Sequence, residues 1–328
     1  MIVVAGEALI DLLVQPGGIV SAVPGGGPYN TARTIGRLGG EVAFLGRLST
    51  DRFGQRLRTE LAADGVDLRF VESTDDPTTM AIAELDADGS ATYRFIAEGT
   101  SAPGLSARVA AVAFNTFPIT VHLGTLGLVF EPMADVLLRE CNAYGSHLTM
   151  VDLNIRPAAI RDRTTFMGRM DRVLAAAHII KASVEDLAYL YPGVDPLRAA
   201  EHAKECADAT ILVTNGAESV FIVGPQGSVG AAGRRFVRSL PARPSVIEVP
   251  VPRVPVVDTV GAGDAFGGAF LAWWTVHGLG RNELADADAV VEAVARAIDV
   301  ASITVQRAGA DPPRRAEVGW PRTSPRTA

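Results

Sequence analysis

Lysine is almost missing from this chain. Among 328 residues the only lysines are Lys181 and Lys204, and arginine carries nearly all of the positive charge. A phosphate-binding loop of the Gly-Lys-Ser/Thr type is excluded, because no Gly-Lys pair exists. Cysteine is scarce as well. Cys141 and Cys206 form no CxxC pair and no disulfide framework, which fits a reducing compartment. The five histidines are scattered, with no HExxH and no close pair, so no zinc site is expected. The N-terminus lacks a basic segment and reaches Asp11 too early for a signal peptide. No apolar run is long enough to span a membrane. These absences predict a cytoplasmic protein. Net charge is −7 and the pI is about 5.3, so nucleic acid and anionic lipid are not expected partners. A bound polyphosphate must then be held by a local set of donors.

What is present is the composition of an ordinary globular protein: 48% hydrophobic and 20% charged residues. The length suits one large α/β domain or two modest ones. The short β-branched run Ile2-Val-Val-Ala reads as a buried strand, and Val42-Ala-Phe-Leu as a second. Ala32, Ile35 and Leu38 mark one face of a helix stopped by Gly39-Gly40; Phe53, Leu57 and Leu61 mark another, stopped by Asp64-Gly65. Further strands are expected at 119–123, 148–152, 178–181, 210–214 and 254–258. Helical patterns fall at 133–144, 164–177, 184–191, 197–207, 264–276 and 286–308. Phe221-Ile-Val and Gly227-Ser-Val read as a hairpin. Repeated β-α units imply a mostly parallel sheet with helices on both faces. Ala81–Leu85 and Ala91–Ile96 interrupt that rhythm with a β-hairpin around Asp86-Ala-Asp-Gly, and 14–23 adds a further strand to the same layer. The Pro- and Arg-rich stretch 312–328 is expected to be mobile.

The densest chemical signal is Asp258-Thr-Val-Gly261-Ala262-Gly263-Asp264, where a glycine-rich turn opens an apolar helix. Small residues let successive N–H groups converge on an anion. The helix N-terminus adds roughly half a positive charge. Such a cradle suits a phosphoryl group in transfer. A carboxylate there would repel a bound anion unless it had other work, and taking a proton from an attacking hydroxyl is such work, worth on the order of 10²–10⁴ in rate. The residues by themselves equally allow Asp264 to be a helix cap. A dinucleotide loop fits less well, since Phe266 stands where GxGxxG needs glycine.

Asp258–Asp264 matches the DTxGAGD motif of the ribokinase-like (PfkB) sugar kinases at every position, and Gly25-Gly26-Gly27-Pro-Tyr-Asn30 resembles their N-terminal GGxxxN motif. Gly6-Glu-Ala-Leu-Ile-Asp11 looks like the family's first strand. The resemblance runs in order through nearly the whole chain. It implies a kinase domain over 1–311 with a small β-sheet lid built from insertions at about 13–24 and 77–100. It implies ATP as phosphoryl donor with Mg²⁺, and allows a K⁺ ion. It carries over Asp264 as base, Gly261, Ala262 and Gly263 as anion hole, and Asp11, Gly26, Gly27 and Asn30 as sugar contacts. Thr214, Gly216, Ala217 and Gly309 fall at nucleotide-binding turns. Asp186 aligns with the acid of the usual NxxE, near nucleotide and metal, although Ser183 replaces its Asn; Asp258 is a second candidate metal or cation ligand. A homodimer through the lid is also a family habit.

Asp152-Leu-Asn154-Ile-Arg156-Pro resembles the DxNxRP run of fructokinases and 2-keto-3-deoxygluconate kinases, with Arg156 a candidate substrate contact. D-fructose, giving the 6-phosphate, is the expected substrate; 2-keto-3-deoxygluconate is the alternative. A sugar-binding regulator without catalysis and an NAD-dependent oxidoreductase are the rivals from other classes. Strand alternation places Tyr93 and Phe95 on one lid face and Arg94 on the other. Tyr29 stands where the family has a small residue, beside Asn30.

Overall fold

The computed structural model describes residues 1–86, 91–116, 120–143, 145, 147–224, 229, 233, 236–237 and 246–320. In chain order the strands are β1 (Ile2–Ala5), β2 (Leu9–Val14), β3 (Val20–Gly25), β4 (Val42–Ser49), β5 (Val71–Thr74), β6 (Met80–Leu85), β7 (Ala91–Ile96), β8 (Thr120–Gly124), β9 (Leu148–Asp152), β10 (Ile179–Ser183), β11 (Thr210–Asn215), β12 (Ser219–Val223) and β13 (Val246–Pro250). The helices are α1 (Gly27–Arg37), α2 (Arg52–Ala63), α3 (Ala107–Phe114), α4 (Met133–Ala143), α5 (Arg163–Ala176), α6 (Val184–Leu190), α7 (Pro196–Cys206), α8 (Ala262–Val276) and α9 (Ala287–Thr304).

Nine strands form one sheet in the order β13-β12-β11-β10-β9-β8-β1-β4-β5. From β11 to β5 every pairing is parallel; β12 and β13 add antiparallel at one edge. Strand alternation divides the core in two. Val3, Ala5, Ala43, Leu45 and Val151 face a core with Leu137 of α4, Met170 of α5 and Ala200 of α7. Ile2, Val4, Val42, Phe44 and Met150 face the other, with Ile35 of α1, Phe270 of α8 and Val294 of α9. Both faces of the sheet are therefore covered, which is why its central strands read as unbroken apolar runs. Helix α8 is buried from Asp264 to Trp274. Its Trp274 is fully buried and stacks on Phe270 at 5.4 Å, a pairing worth about 1 kcal/mol beyond burial alone.

A second, four-stranded sheet in the order β3-β2-β6-β7 forms the lid. Its hairpin β6–β7 is where the sequence puts it, although residues 87–90 of the turn lie outside the described residues. The stretch 14–23 is not one strand: β2 and β3 pair antiparallel around Gly17-Gly18. The insertion expected at 13–24 thus occupies 9–25, and Asp11 sits on the lid rather than on the first strand of the main sheet.

Other expectations need correction. Residues 254–258 form no strand; Val256 and Val257 are 57% and 64% exposed. Pro252 and Pro255 cannot donate to a ladder, and the edge is taken by β13 instead. The Phe221 strand is real, but it turns back on β11 and pairs with β13; Gly227 lies outside the described residues. Residues 312–320 do not project as a mobile tail. Trp320 is 7% exposed against Trp273, with ring centroids 5.2 Å apart, and Arg37 donates to the carbonyl of Pro312. Among the described residues no helix is long and apolar enough to cross a membrane.

Candidate active site

The chemistry-bearing segments gather at the carboxyl ends of the parallel strands, where open α/β sheets place ligands. Gly6-Glu7 follows β1, Thr125 follows β8, Asp152 closes β9, Ser183 closes β10 and Thr214 stands near the end of β11. The N-terminus of α8 faces this rim.

The turn into α8 is tightly built. The Asp258 carboxylate accepts from Val260 N at 3.0 Å and from Gly309 N at 2.8 Å, tying the turn to the loop after α9. Gly261 caps the helix with φ +74°. A Cβ there would lie 2.5 Å from the Cβ of Ala310, so glycine is needed for both conformation and space. Ala262 N donates back to Thr259 O at 3.2 Å. The N–H groups of Gly261, Gly263 and Asp264 have no acceptor among the described residues. The cradle expected from Gly261, Ala262 and Gly263 therefore has two of its three donors available, and Asp264 supplies another.

Asp264 is not a helix cap. It lies three residues into α8, 7% exposed, and its side chain turns away from the helix backbone. Oδ2 accepts from Asn30 Nδ2 at 2.8 Å, and Oδ1 accepts from Asn154 Nδ2 at 3.4 Å. Burial raises its pKa to about 6; Asp152 pushes the same way, while the Asn30 bond, Lys181 and Arg156 oppose. A carboxylate accepts a proton only when ionised, so an activity that uses Asp264 as a base should fall as pH drops through about 6. A kcat/KM profile that stays flat down to pH 5 would contradict this.

The N-terminal motif reaches Asp264 from the other side. Helix α1 starts at Gly27 behind Gly26, earlier than its apolar spacing suggests. A Cβ on Gly27 would lie 2.3 Å from Thr125 Oγ1 and 3.3 Å from Asp264 Oδ1, so the bare glycine keeps space in front of the carboxylate. Asn30 is 6% exposed, and its Oδ1 is buried without a partner among the described residues. An unpartnered buried acceptor beside Asp264 fits a sugar hydroxyl. Tyr29 points elsewhere: it is fully buried, donates to Glu60 on α2 and does not crowd the site. Asp11 is raised to about 6, chiefly by burial, with Arg156 opposing. Arg156 has no carboxylate within 4 Å among the described residues, yet its charge bears on Asp11, Tyr93 and Asp264. Tyr93 and Phe95 stack on one lid face at 6.3 Å, and Arg94 pairs with Glu84 on the other, as alternation requires.

Several residues near Asp264 were not singled out from the sequence. Glu7 is fully buried and accepts from Gly27 N at 3.1 Å and Gly127 N at 2.8 Å, fixing the glycine loop against the helical turn Thr125–Leu128 that follows β8. Burial raises it to about 8 against those bonds. Thr125 and Asn154 have φ of +54° and +35°, unusual for residues with side chains. Both sit beside Asp264, where such strain is commonly kept for function. Asn154 lies inside the run Asp152–Pro157, where the charge of Arg156 is the stronger sequence signal. Thr125 carries no sequence signal.

Thr214, Gly216 and Ala217 lie at the β11–β12 turn. Gly216 and Gly309 have φ of +51° and +69°, and a Cβ on either would meet nothing within 4 Å. Both turns are open, and the Gly309 loop touches the anion turn through Ala310, which suits a nucleotide whose phosphates reach Gly261. Asp186 Oδ1 accepts from Ile155 N at 2.7 Å and Oδ2 from Ser183 N at 2.8 Å, in a capping box for which Ser183 is well chosen. The carboxylates of Asp186 and Asp258, the two residues for which metal roles were expected, each accept from two backbone amides. Among the described residues no cluster of acids, histidines or cysteines forms a metal site.

Known proteins of this shape decide the family. The model of the pfkB family carbohydrate kinases matches residues 1–316. The chain belongs to that family. A fructokinase of Rhizobium leguminosarum bv. trifolii is 33% identical over 83% of the chain and 79% of its own length. One from Klebsiella pneumoniae is 31% identical over 85% and 86%. Among solved structures, the Xylella fastidiosa fructokinase with bound ATP superposes with a TM-score of 0.82 at 27% identity, covering 97% of this chain and 96% of that one. A Vibrio cholerae fructokinase solved with fructose, ADP and potassium shares the fold, with a TM-score of 0.79 at 21% identity over 97% and 96%. This chain is thus a sugar kinase, and the regulator and oxidoreductase readings fall away. Asp264 lies in the first turn of α8, and Asp11 lies on β2 of the four-stranded sheet.

Proposed function

We infer that the protein transfers the γ-phosphoryl group of ATP to O6 of D-fructose. The observation that carries this reading is Asp264: a buried carboxylate with a raised pKa, steadied by two amides, beside N–H groups that have no acceptor among the described residues. The sugar hydroxyl would lie against Asp264 and lose its proton to Oδ1 or Oδ2 as its oxygen bonds to the γ-phosphorus and the bond to the β–γ bridging oxygen breaks, with ADP leaving. The free N–H groups of Gly261 and Gly263 and the α8 dipole would stabilise charge on the equatorial phosphoryl oxygens. Asn30 Oδ1 and Asp11 accept from other hydroxyls and orient the ring. Thr214, Gly216, Ala217 and Gly309 line the nucleotide's approach. Tyr93 and Phe95 close the lid and keep water from the phosphoryl group. The exposed lid residues Ile19, Val20 and Ile96 offer the surface for a homodimer.

Fructose is favoured by the similarity to fructokinases. Arg156 supports a second reading, because an arginine with no carboxylate within 4 Å would suit the acid group of 2-keto-3-deoxygluconate. ADP release measured across a panel of ketoses, aldoses and 2-keto-3-deoxygluconate separates the two. Fructose should give the highest kcat/KM. Preference for the acid sugar, lost in Arg156→Ala, would establish the second reading instead.

A further inference from the structure

A buried ion pair lies under the turn that opens α8, and the chemistry above does not use it. Lys181 and Asp152 are 4% and 1% exposed, and Lys181 Nζ donates to Oδ1 at 2.9 Å and Oδ2 at 2.8 Å. The parallel register of β9 and β10 sets them opposite each other. Stability alone gives little reason for the pair. Removing two charges from water costs about as much as their attraction returns, and apolar residues of similar size commonly hold such a place as well or better.

The pair has a direction. A Cβ on Gly263 would lie 3.2 Å from Lys181 Nζ, and no atom of Asp152 comes within 4 Å of that point. The corresponding point on Gly267 lies 3.7 Å from Lys181 Cδ. Glycines one helical turn apart thus leave a channel for the lysine stem, and the ammonium end meets the anion turn. Two of its N–H groups go to Asp152, and the third has no acceptor among the described residues. The charged groups around the pair are Asp264 on α8, Asp186 on α6 and Arg156 after β9. His122 on β8 is held neutral, its pKa pushed to about 3 by burial and by Lys181. Glu7, between β1 and β2, faces Asp264 from the far side.

We propose that Lys181 and Asp152 are positioning residues for phosphoryl transfer, the ammonium end backing the anion turn at Gly263 and the carboxylate end bearing on the Asp264 side chain. The proposal rests on Asp264 being the base. The electrostatics agree in direction: Asp152 raises the proton affinity of Asp264 and Lys181 lowers it. One oriented dipole would make the cradle more positive and the base more basic.

The test is the double variant Lys181→Met/Asp152→Asn, which removes both charges and strands neither. It should melt near the parent and keep the KM for sugar and ATP within about three-fold, while kcat falls on the order of ten-fold or more. The single variants should move the acidic limb of kcat/KM in opposite directions, Lys181→Met upward and Asp152→Asn downward, each by about half a pH unit or more. A purely structural pair would lower the melting temperature and leave kcat and the limb alone. A double variant with kcat within about two-fold of the parent therefore overturns the proposal. Where it does not fold, Asp152→Glu keeps both charges and displaces the carboxylate by one methylene; an unmoved limb and unchanged kcat there overturn it equally. Asp264→Asn measured alongside separates the two ideas. If that variant is inactive while the double variant is fully active, only the pair proposal fails. If Asp264→Asn keeps near-parental turnover, the base assignment fails first.

Discussion

Asp264→Asn should lose nearly all turnover, a fall in kcat on the order of 10³ or more, with sugar affinity little changed. Asparagine keeps the shape and still accepts from Asn30 at the position now held by Oδ2. What it lacks is a place for the hydroxyl proton. The same variant should be more stable at neutral pH. Asp264 is raised above its ordinary value of 3.8 to about 6, so the folded state binds the proton more tightly than the unfolded chain does. Stability is then fully present below pH 3.8 and is lost as pH rises through 6, because the buried group must ionise. A shift of about two units corresponds to about 3 kcal/mol, the upper end of the gain to expect from the neutral amide. Steady-state ADP release, sugar binding by calorimetry and melting at pH 8 read the three parts. Near-normal turnover would remove Asp264 from the mechanism; unchanged melting with lost turnover would leave the base role and deny the ionisation cost.

Gly261→Ala should be the next most damaging change. At φ +74° a side chain costs about 1–2 kcal/mol before any contact is considered. The new Cβ would then lie 2.5 Å from Ala310 Cβ and 3.0 Å from its Cα. The turn must open, and with it the N–H groups that face the phosphoryl oxygens. Losing one such donor costs on the order of 10²–10³ in kcat in a related kind of site. Asn30 and Asp11 stand on other elements, so the KM for sugar should change much less than kcat. A variant that lost sugar affinity and turnover in equal measure would place Gly261 in binding rather than in transfer. Gly216→Ala makes a useful comparison, because that glycine has φ +51° but nothing within 4 Å of a Cβ. It should show the strain without the crowding.

Much of the architecture was legible because local rules and global fold agree. The runs Ile2-Val-Val-Ala and Thr210-Ile-Leu-Val are buried on both faces and could only be central strands. The spacing of Phe53, Leu57 and Leu61 gave α2 from its apolar side, ended at Asp64-Gly65. Elements whose role depends on distant partners were harder. Val254–Asp258 has the β-branched composition of a strand, but Pro255, with Pro252 just before the segment, leaves no ladder and β13 takes the edge. Residues 312–320 look like a tail until Trp320 meets Trp273. Helix α3 and strands β5 and β13 are short and carry no strong period.

At the site, the sequence by itself determined the segments. The glycine turn, the acid that follows it and the N-terminal glycine run are each contiguous, so their chemistry shows without a fold. Only the tertiary structure decided what the acid does there. A carboxylate after a glycine turn caps a helix or takes a proton, and the choice depends on which groups it meets. Asp264 lies past the cap and meets Asn30 from 234 residues away and Asn154 from 110. The ion pair beneath it joins successive strands through the register that sets Lys181 opposite Asp152. Contacts of that range are set by strand order and register, and no local pattern in the chain encodes them.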